Sequence, residues 1–310
     1  METRKLVKSG TGSYVISVPK NWLDRHSLKK GSLIYVDPQG ENLLLLPFNK
    51  KGKNQTQRLM LTAKEPVRVI TRRLIAAYIS GYEEVSIKGL RDKKTDETIT
   101  QQLSYLPGWE LIEKKRDSLF IRDLLRMDGF TLPQALRQMD MTLRAMFKDL
   151  YEHREEIPIE EFYEQDKIVN KLYWGISRGV KAVLKNEIPP KEITDYYDVM
   201  LLHQLNVSLE GLGDHLKELA KESSALSDLQ KKRVDNMVED LYKVYEELMK
   251  AYYTQNTEVA YHYLTKDLSL YDKAKGIFGK QKTKDAVIVS RRLNSIVLTL
   301  TQISKIIRLR

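Results

Sequence analysis

Glu210 and Asp214 stand four residues apart, so on a helix both carboxylates lie on one face, and two such helices side by side would present a set of acids to a hard cation. Asn206 falls one turn earlier and His203 on the same side. At ~100° per residue this face lies roughly opposite a stripe of leucines, which predicts that it is not core. The same spacing equally describes a solvated acidic face. A second chemistry is basic. Arg4, Lys5, Lys8, Lys20 and Arg25 suit phosphate oxygens, and Ser9, Thr11 and Ser13 among them suit the backbone or base edges of a nucleic acid. Catalytic patterns are missing: there is no Gly-x-x-x-x-Gly-Lys loop, nucleophile elbow or His-Glu-x-x-His helix. Gly10 and Gly12 read as turn residues, since no helix follows them to offer its N-terminus to a phosphate. The chain therefore reads as a non-enzyme, with metal-dependent phosphoester hydrolysis on the carboxylates as the one catalytic alternative.

Composition narrows the class further. With 310 residues, 42% of them apolar and 30% charged, the chain buries a real core and divides into two or three domains. It has no Cys, which excludes thiolate zinc sites, iron–sulfur clusters and cysteine nucleophiles and leaves oxygen and nitrogen as metal ligands. No apolar run approaches the ~18 residues of a membrane span, and Met1 to Gly10 is too polar for a signal peptide, so the cytoplasm is the default compartment and no membrane insertion is expected. The net charge of +10 is uneven. Residues 1–53 carry ten basic and four acidic side chains, residues 54–126 fourteen and ten, and residues 127–310 carry 28 of each. A small basic N-terminal piece ahead of a neutral body points to a polyanion partner. Residues 282–310 are basic as well, with seven cations against one acid.

The elements that must position these residues follow from periodicity. Arg4 to Lys8 and Tyr14 to Val18 alternate at period two around the turn residues Ser9 to Ser13. Pro19 closes the second strand, Lys20 to His26 forms a short helix ended by Lys30-Gly31, and Leu33 to Val36 pairs with Asn42 to Leu46 around Pro38-Gln39-Gly40. So small a core calls for a second copy to bury its apolar faces. Residues 54–126 read as an α+β connector. A strand at Gln57 to Leu61 leads to a helix from Pro66 to Gly81, a strand at Val85 and Ile87, a helix from Thr95 to Tyr105, and a hairpin over Leu111 to Ile121 turning near Arg116-Asp117. From Thr131 onward a seven-residue rhythm predicts six helices. The first carries Leu132 to Leu150 and stops near Ile157-Pro158. The second runs from about Glu160 to Asn186, ahead of Pro189-Pro190, and the third begins near Thr194. A capping box at Ser227 and Gln230 opens the fourth. The fifth spans about Thr257 to Ile277 without a regular stripe, and Thr283 caps the sixth. Leu209 to Leu216 aligns with Leu293 to Leu300, and Lys221 with Lys305, at a displacement of 84 residues. A bundle of three plus three helices follows, with repeats at about 131–224 and 226–310.

Two resemblances lie on these residues. Arg4-Lys5-Leu6-Val7-Lys8-Ser9-Gly10, Ser13 to Lys20 with its Val-Pro-Lys ending, Leu28-Lys29-Lys30-Gly31-Ser32 and Leu44-Leu45-Leu46-Pro47 resemble the AbrB/SpoVT/MazE DNA-binding domain across nearly all of residues 1–53. That resemblance implies a swapped-hairpin β-barrel made by two chains, hence a homodimer with DNA as partner. Leu209 to His215 is similar to the Leu-Glu-Arg-Ile-Gly/Ala-Asp-His signature of PhoU proteins, whose six helices form two three-helix repeats. An AbrB-like module ahead of a PhoU-like body is the arrangement of archaeal phosphate-uptake regulators.

The second resemblance implies a surface metal cluster at Glu210 and Asp214 shared with Asp166 and Asn170, holding a divalent or iron-type ion. The match is thinned: Asn170 replaces an acid, and Asn294 and Leu298 stand where a second cluster would need its acids. His215 reads as a packing or surface histidine. The expected fold is thus mainly α with an α+β N-terminal part: a DNA-binding domain over 1–53, a connector over 54–126 and a PhoU-like helical domain over 127–310. The expected function is phosphate-uptake or phosphate-signalling regulation through DNA. The helical domain would meet a metal or a protein partner, such as the phosphate transporter's ATPase or a signalling kinase. The alternative is a protein adaptor that damps phosphate transport without DNA.

Overall fold

Alternating apolar residues on either side of glycine-containing turns produce the first sheets. The computed structural model describes residues 3–39, 42–48, 57–89, 91–124, 131–153, 157–185, 196–264, 267–279 and 283–309. They fall into two compact units, Met1–Thr56 and Gln57–Arg310. In the first, β1 (Val7–Ser9) pairs antiparallel with β2 (Ser13–Val15), Val7 opposite Val15. Gly10 takes φ 73° in the turn, a conformation that costs a residue without Cβ nothing. Ser13 Oγ donates to the Ser9 carbonyl at 2.6 Å. Helix α1 (Lys20–Arg25) follows Pro19, and β3 (Ile34–Gln39) pairs with β4 (Asn42–Pro47). Gly40, placed by the sequence in this second turn, lies outside the described residues. The paired length of the first hairpin is shorter than the alternation predicts, and Arg4 to Leu6 and Ile16 to Val18 have no neighbouring strand among the described residues. Among its described residues this unit buries none, and Leu6, Tyr14, Leu33 and Leu43 are each 58–69% exposed.

The second unit opens with a four-stranded sheet in the order β5-β6-β8-β7, formed by β5 (Arg58–Thr62), β6 (Glu84–Lys88), β7 (Trp109–Lys115) and β8 (Ser118–Asp123). β5 and β6 are parallel, joined by α2 (Val67–Ile79), and the other pairs are antiparallel. Helix α3 (Lys93–Ser104) starts two residues before the predicted Thr95, because Asp92 accepts from the Thr95 N–H at 2.7 Å and caps it. Leu61, Ile70, Leu74, Val85, Ile87, Ile99, Trp109, Leu119 and Ile121 form its core.

Seven further helices complete the described body: α4 (Leu132–Tyr151), α5 (Ile159–Leu184), α6 (Tyr196–Ser223), α7 (Asp228–Thr254), α8 (Thr257–Leu264), α9 (Asp267–Gly276) and α10 (Lys284–Arg308). Within the predicted helix over Thr257 to Ile277 the described residues are helical as α8 and α9 up to Gly276, and residues 265–266 between them lie outside the described residues. Thr194 and Pro189-Pro190 lie outside the described residues. α4, α5 and α6 pack on one another, α10 packs on α7, α8 and α9, and the groups meet through α4 with α7 and α6 with α10. Leu205, Leu209, Leu212, Leu216 and Leu219 on α6 and, 84 residues on, Val289, Leu293, Ile296, Leu300 and Ile303 on α10 are all fully buried. The sheet is keyed to the body through α5. Arg178 is paired with Asp123 and stacks 4.9 Å from the Tyr78 ring centroid, Lys181 Nζ donates to Ser80 Oγ at 2.9 Å, and Trp174 packs on the sheet's core.

Candidate functional site

Helices α5 and α6 bring the expected acidic set together because they can approach closely. A Cβ on Gly213 would lie 3.2 Å from Val169 Cγ1 and 3.3 Å from Leu143 Cδ2, so only glycine fits there without displacing neighbours. Across this contact α5 offers Asp166 and Asn170, and α6 offers Glu210 and Asp214. Between them lies a residue the sequence reading passed over. Lys217 Nζ donates to Asp166 Oδ2 at 2.9 Å and to Asp214 Oδ1 at 2.6 Å. Its side chain is 13% exposed, that of Asp166 10% and that of Asp214 49%. Asn170 Nδ2 donates to the Asp166 carbonyl at 3.0 Å and to Asp166 Oδ2 at 3.1 Å. Asp166 thus collects donors from both helices. The signal for Lys217 was present in the sequence as an Asp–Lys pair at i, i+3 after Asp214.

Electrostatics follow from this burial. Desolvation raises the Glu210 carboxyl to about 7, the charges of Asp214 and Asp166 add to the rise, and Lys217 opposes it. Burial also lifts Asp166 above its ordinary value, against the hydrogen bond from Lys217. Lys217 itself is held above the usual lysine range: burial pulls it down, and the hydrogen bonds to Asp214 and Asp166 outweigh that. As arranged, the set does not fit a metal ion. An ammonium already bridges two of the carboxylates, and among the described residues no three His, Asp or Glu side chains converge as ligands.

The face itself also differs from the helical-wheel expectation. Asn206 is fully buried rather than opposite the core, with Nδ2 donating to the Tyr173 carbonyl at 3.2 Å and Ser177 Oγ at 3.3 Å. The reason is that α6 packs against α5 on one side and α10 on another, which leaves little of its circumference open. His203 is half-buried, and its Nδ1 has no hydrogen-bond partner. His215 packs beside Arg292, with Nδ1 3.3 Å from Nη1; burial first, then the Arg292 charge, lowers its pKa.

The basic set belongs to the other unit. The β1–β2 hairpin gathers Lys8, Ser9, Thr11 and Ser13, Arg4 and Lys5 precede it, and Lys20 and Arg25 stand at the two ends of α1. All eight side chains are exposed, and Lys5, Lys8, Lys20 and Arg25 make no ion pair among the described residues. Such cations hold their charge available for an external anion. Among the described residues no helix is long and apolar enough to cross a membrane. Compared with known proteins, the chain matches no family model, no curated protein and no solved structure.

Proposed function

We propose that this chain is a cytoplasmic, homodimeric, DNA-binding regulator of phosphate uptake, an AbrB-like module carried by a PhoU-like helical body that meets a protein partner such as the transporter's ATPase or a signalling kinase. One observation carries the reading. The N-terminal unit couples exposed, uncompensated cations on a hairpin and a short helix with apolar strand faces that nothing in its own described residues covers, for example Val7 at 57%, Tyr14 at 66% and Val36 at 53% exposure. Apolar faces of that kind call for a second copy, and the second copy doubles the basic surface. The phosphate assignment rests on the resemblance of Leu209 to His215 and on the 84-residue correspondence of α6 with α10.

The test is duplex-DNA binding by the full-length protein across a salt series, read by fluorescence anisotropy. Wild type is expected to bind with a log–log salt slope of about −0.9 per neutralised phosphate. Replacing Arg4, Lys5 and Lys8 together with Gln is expected to remove binding while leaving the circular dichroism unchanged. Equal binding by that variant refutes the site. Indifference of the wild type to DNA refutes the reading and leaves the adaptor.

A further inference from the structure

The position between α5 and α6 where a cation would join the acids is taken by a side chain of the protein. Lys217 carries one positive charge and three donors, and it spends two of those donors on Asp166 of the neighbouring helix and Asp214 of its own. A divalent ion seated there would need six or more oxygen ligands. It would also meet an ammonium tethered to α6 one turn beyond Asp214, which the ion would have to displace.

The other half of the body closes the same way with different atoms. Eighty-four residues beyond Lys217 stands Thr301, itself nearly buried, and its hydroxyl donates to the Val297 carbonyl at 3.0 Å and reaches Asp267 Oδ2 on α9 at 3.5 Å. Asn294 and Leu298 occupy the places that Glu210 and Asp214 hold in the first half. The last helix of the second half thus brings to the acid of its neighbour a hydroxyl whose proton goes to its own helix, where the first half brings an ammonium.

We infer that the helical body is closed by its own side chains rather than by metal, with Lys217 acting as a tethered cation that locks α5 to α6 and bars a divalent ion from Asp166, Asp214 and Glu210. Lys217 is a positioning residue: it fixes the two carboxylates in register and offsets one of their two charges. This holds whether or not the N-terminal unit binds DNA.

The experiment uses the full-length protein and Mn²⁺ as probe, with binding followed by calorimetry and by the electron paramagnetic resonance of free Mn²⁺, and thermal stability read in parallel. Wild type is expected to bind no Mn²⁺ at millimolar concentration and to melt at the same temperature with Mn²⁺ or with EDTA. Lys217→Ala is expected to melt lower and to take up one Mn²⁺ per chain that raises its melting temperature. The pair Lys217→Ala with Asp166→Asn is expected to lose that uptake. One equivalent of Mn²⁺ bound by wild type at the acidic set, abolished by Asp166→Asn, overturns the inference. A folded Lys217→Ala that stays indifferent to Mn²⁺ overturns the exclusion by Lys217. Should Lys217→Ala not fold, Lys217→Gln, which keeps a donor and sheds the charge, is read by the same criteria.

Discussion

Replacing Asp123 with Ala strips the counter-charge from Arg178, whose side chain is 9% exposed against 5% for Asp123. One guanidinium nitrogen, Nη1, has no hydrogen-bond partner among the described residues, so the variant leaves a buried cation whose nearest remaining partner is Tyr78, its ring centroid 4.9 Å away. Removing one partner of a buried pair costs about 3–5 kcal/mol, because the remaining charge stays desolvated. The ring contact returns part of that, ~1 kcal/mol, so a net loss of about 3 kcal/mol is expected. Urea denaturation in a Trp22→Phe background reads it. Trp109 and Trp174 both report on the sheet's core, and ellipticity reports on the helices. In the parent the two signals are expected to fall together, since sheet and body share the Arg178 lock. In Asp123→Ala the fluorescence transition is expected to move to lower urea than the ellipticity. Adding Arg178→Met removes the stranded charge, and the double variant is expected to recover all but ~1 kcal/mol. A single-variant loss below ~1 kcal/mol, or a double variant as unstable as the single, would refute the argument that the pair couples the layers.

Other expectations are equally direct. Gly213→Ala places a Cβ 3.2 Å from Val169 Cγ1 and 3.3 Å from Leu143 Cδ2, both fully buried, and is expected to cost about 1 kcal/mol net of the gain in helix propensity, measured by thermal unfolding. Burial pushes the phenols of Tyr78 and Tyr263 up to about 12, so the folded state favours their neutral forms. Their contribution is fully present below pH 10 and lost as pH rises toward 12, ~3 kcal/mol for each at 1.36 kcal/mol per pH unit, and melting curves over that window should flatten in Tyr78→Phe. Val15→Asp puts a charge on the exposed strand face and is expected to halve the mass measured by light scattering; an unchanged mass refutes dimerisation through that face.

Much of the fold was legible because single patterns decided single elements. Val85 and Ile87, alternating, gave a buried strand, and the capping box at Ser227 and Gln230 gave the start of α7. The candidate site was readable as to which residues, since Asp166, Asn170, Glu210 and Asp214 do meet across α5 and α6. It was not readable as to what joins them. A helical wheel ranks a residue by its own helix, whereas the burial of Asn206 and the reach of Lys217 depend on where α5 and α10 lie in space. The placement of α5 turns on Gly213, whose missing Cβ admits Val169 and leaves no periodic trace.

The N-terminal unit owns no buried side chain among its described residues, so its two hairpins have no private reserve of stability. Whatever covers their apolar faces sets their order by mass action. Ordering then becomes second order in protein: dilution should loosen the hairpins while the body stays folded, and hydrogen exchange in residues 3–48 should slow as concentration rises. With a second copy as the proposed cover, the order of the module would measure copy number, a threshold written into the surface of two small sheets.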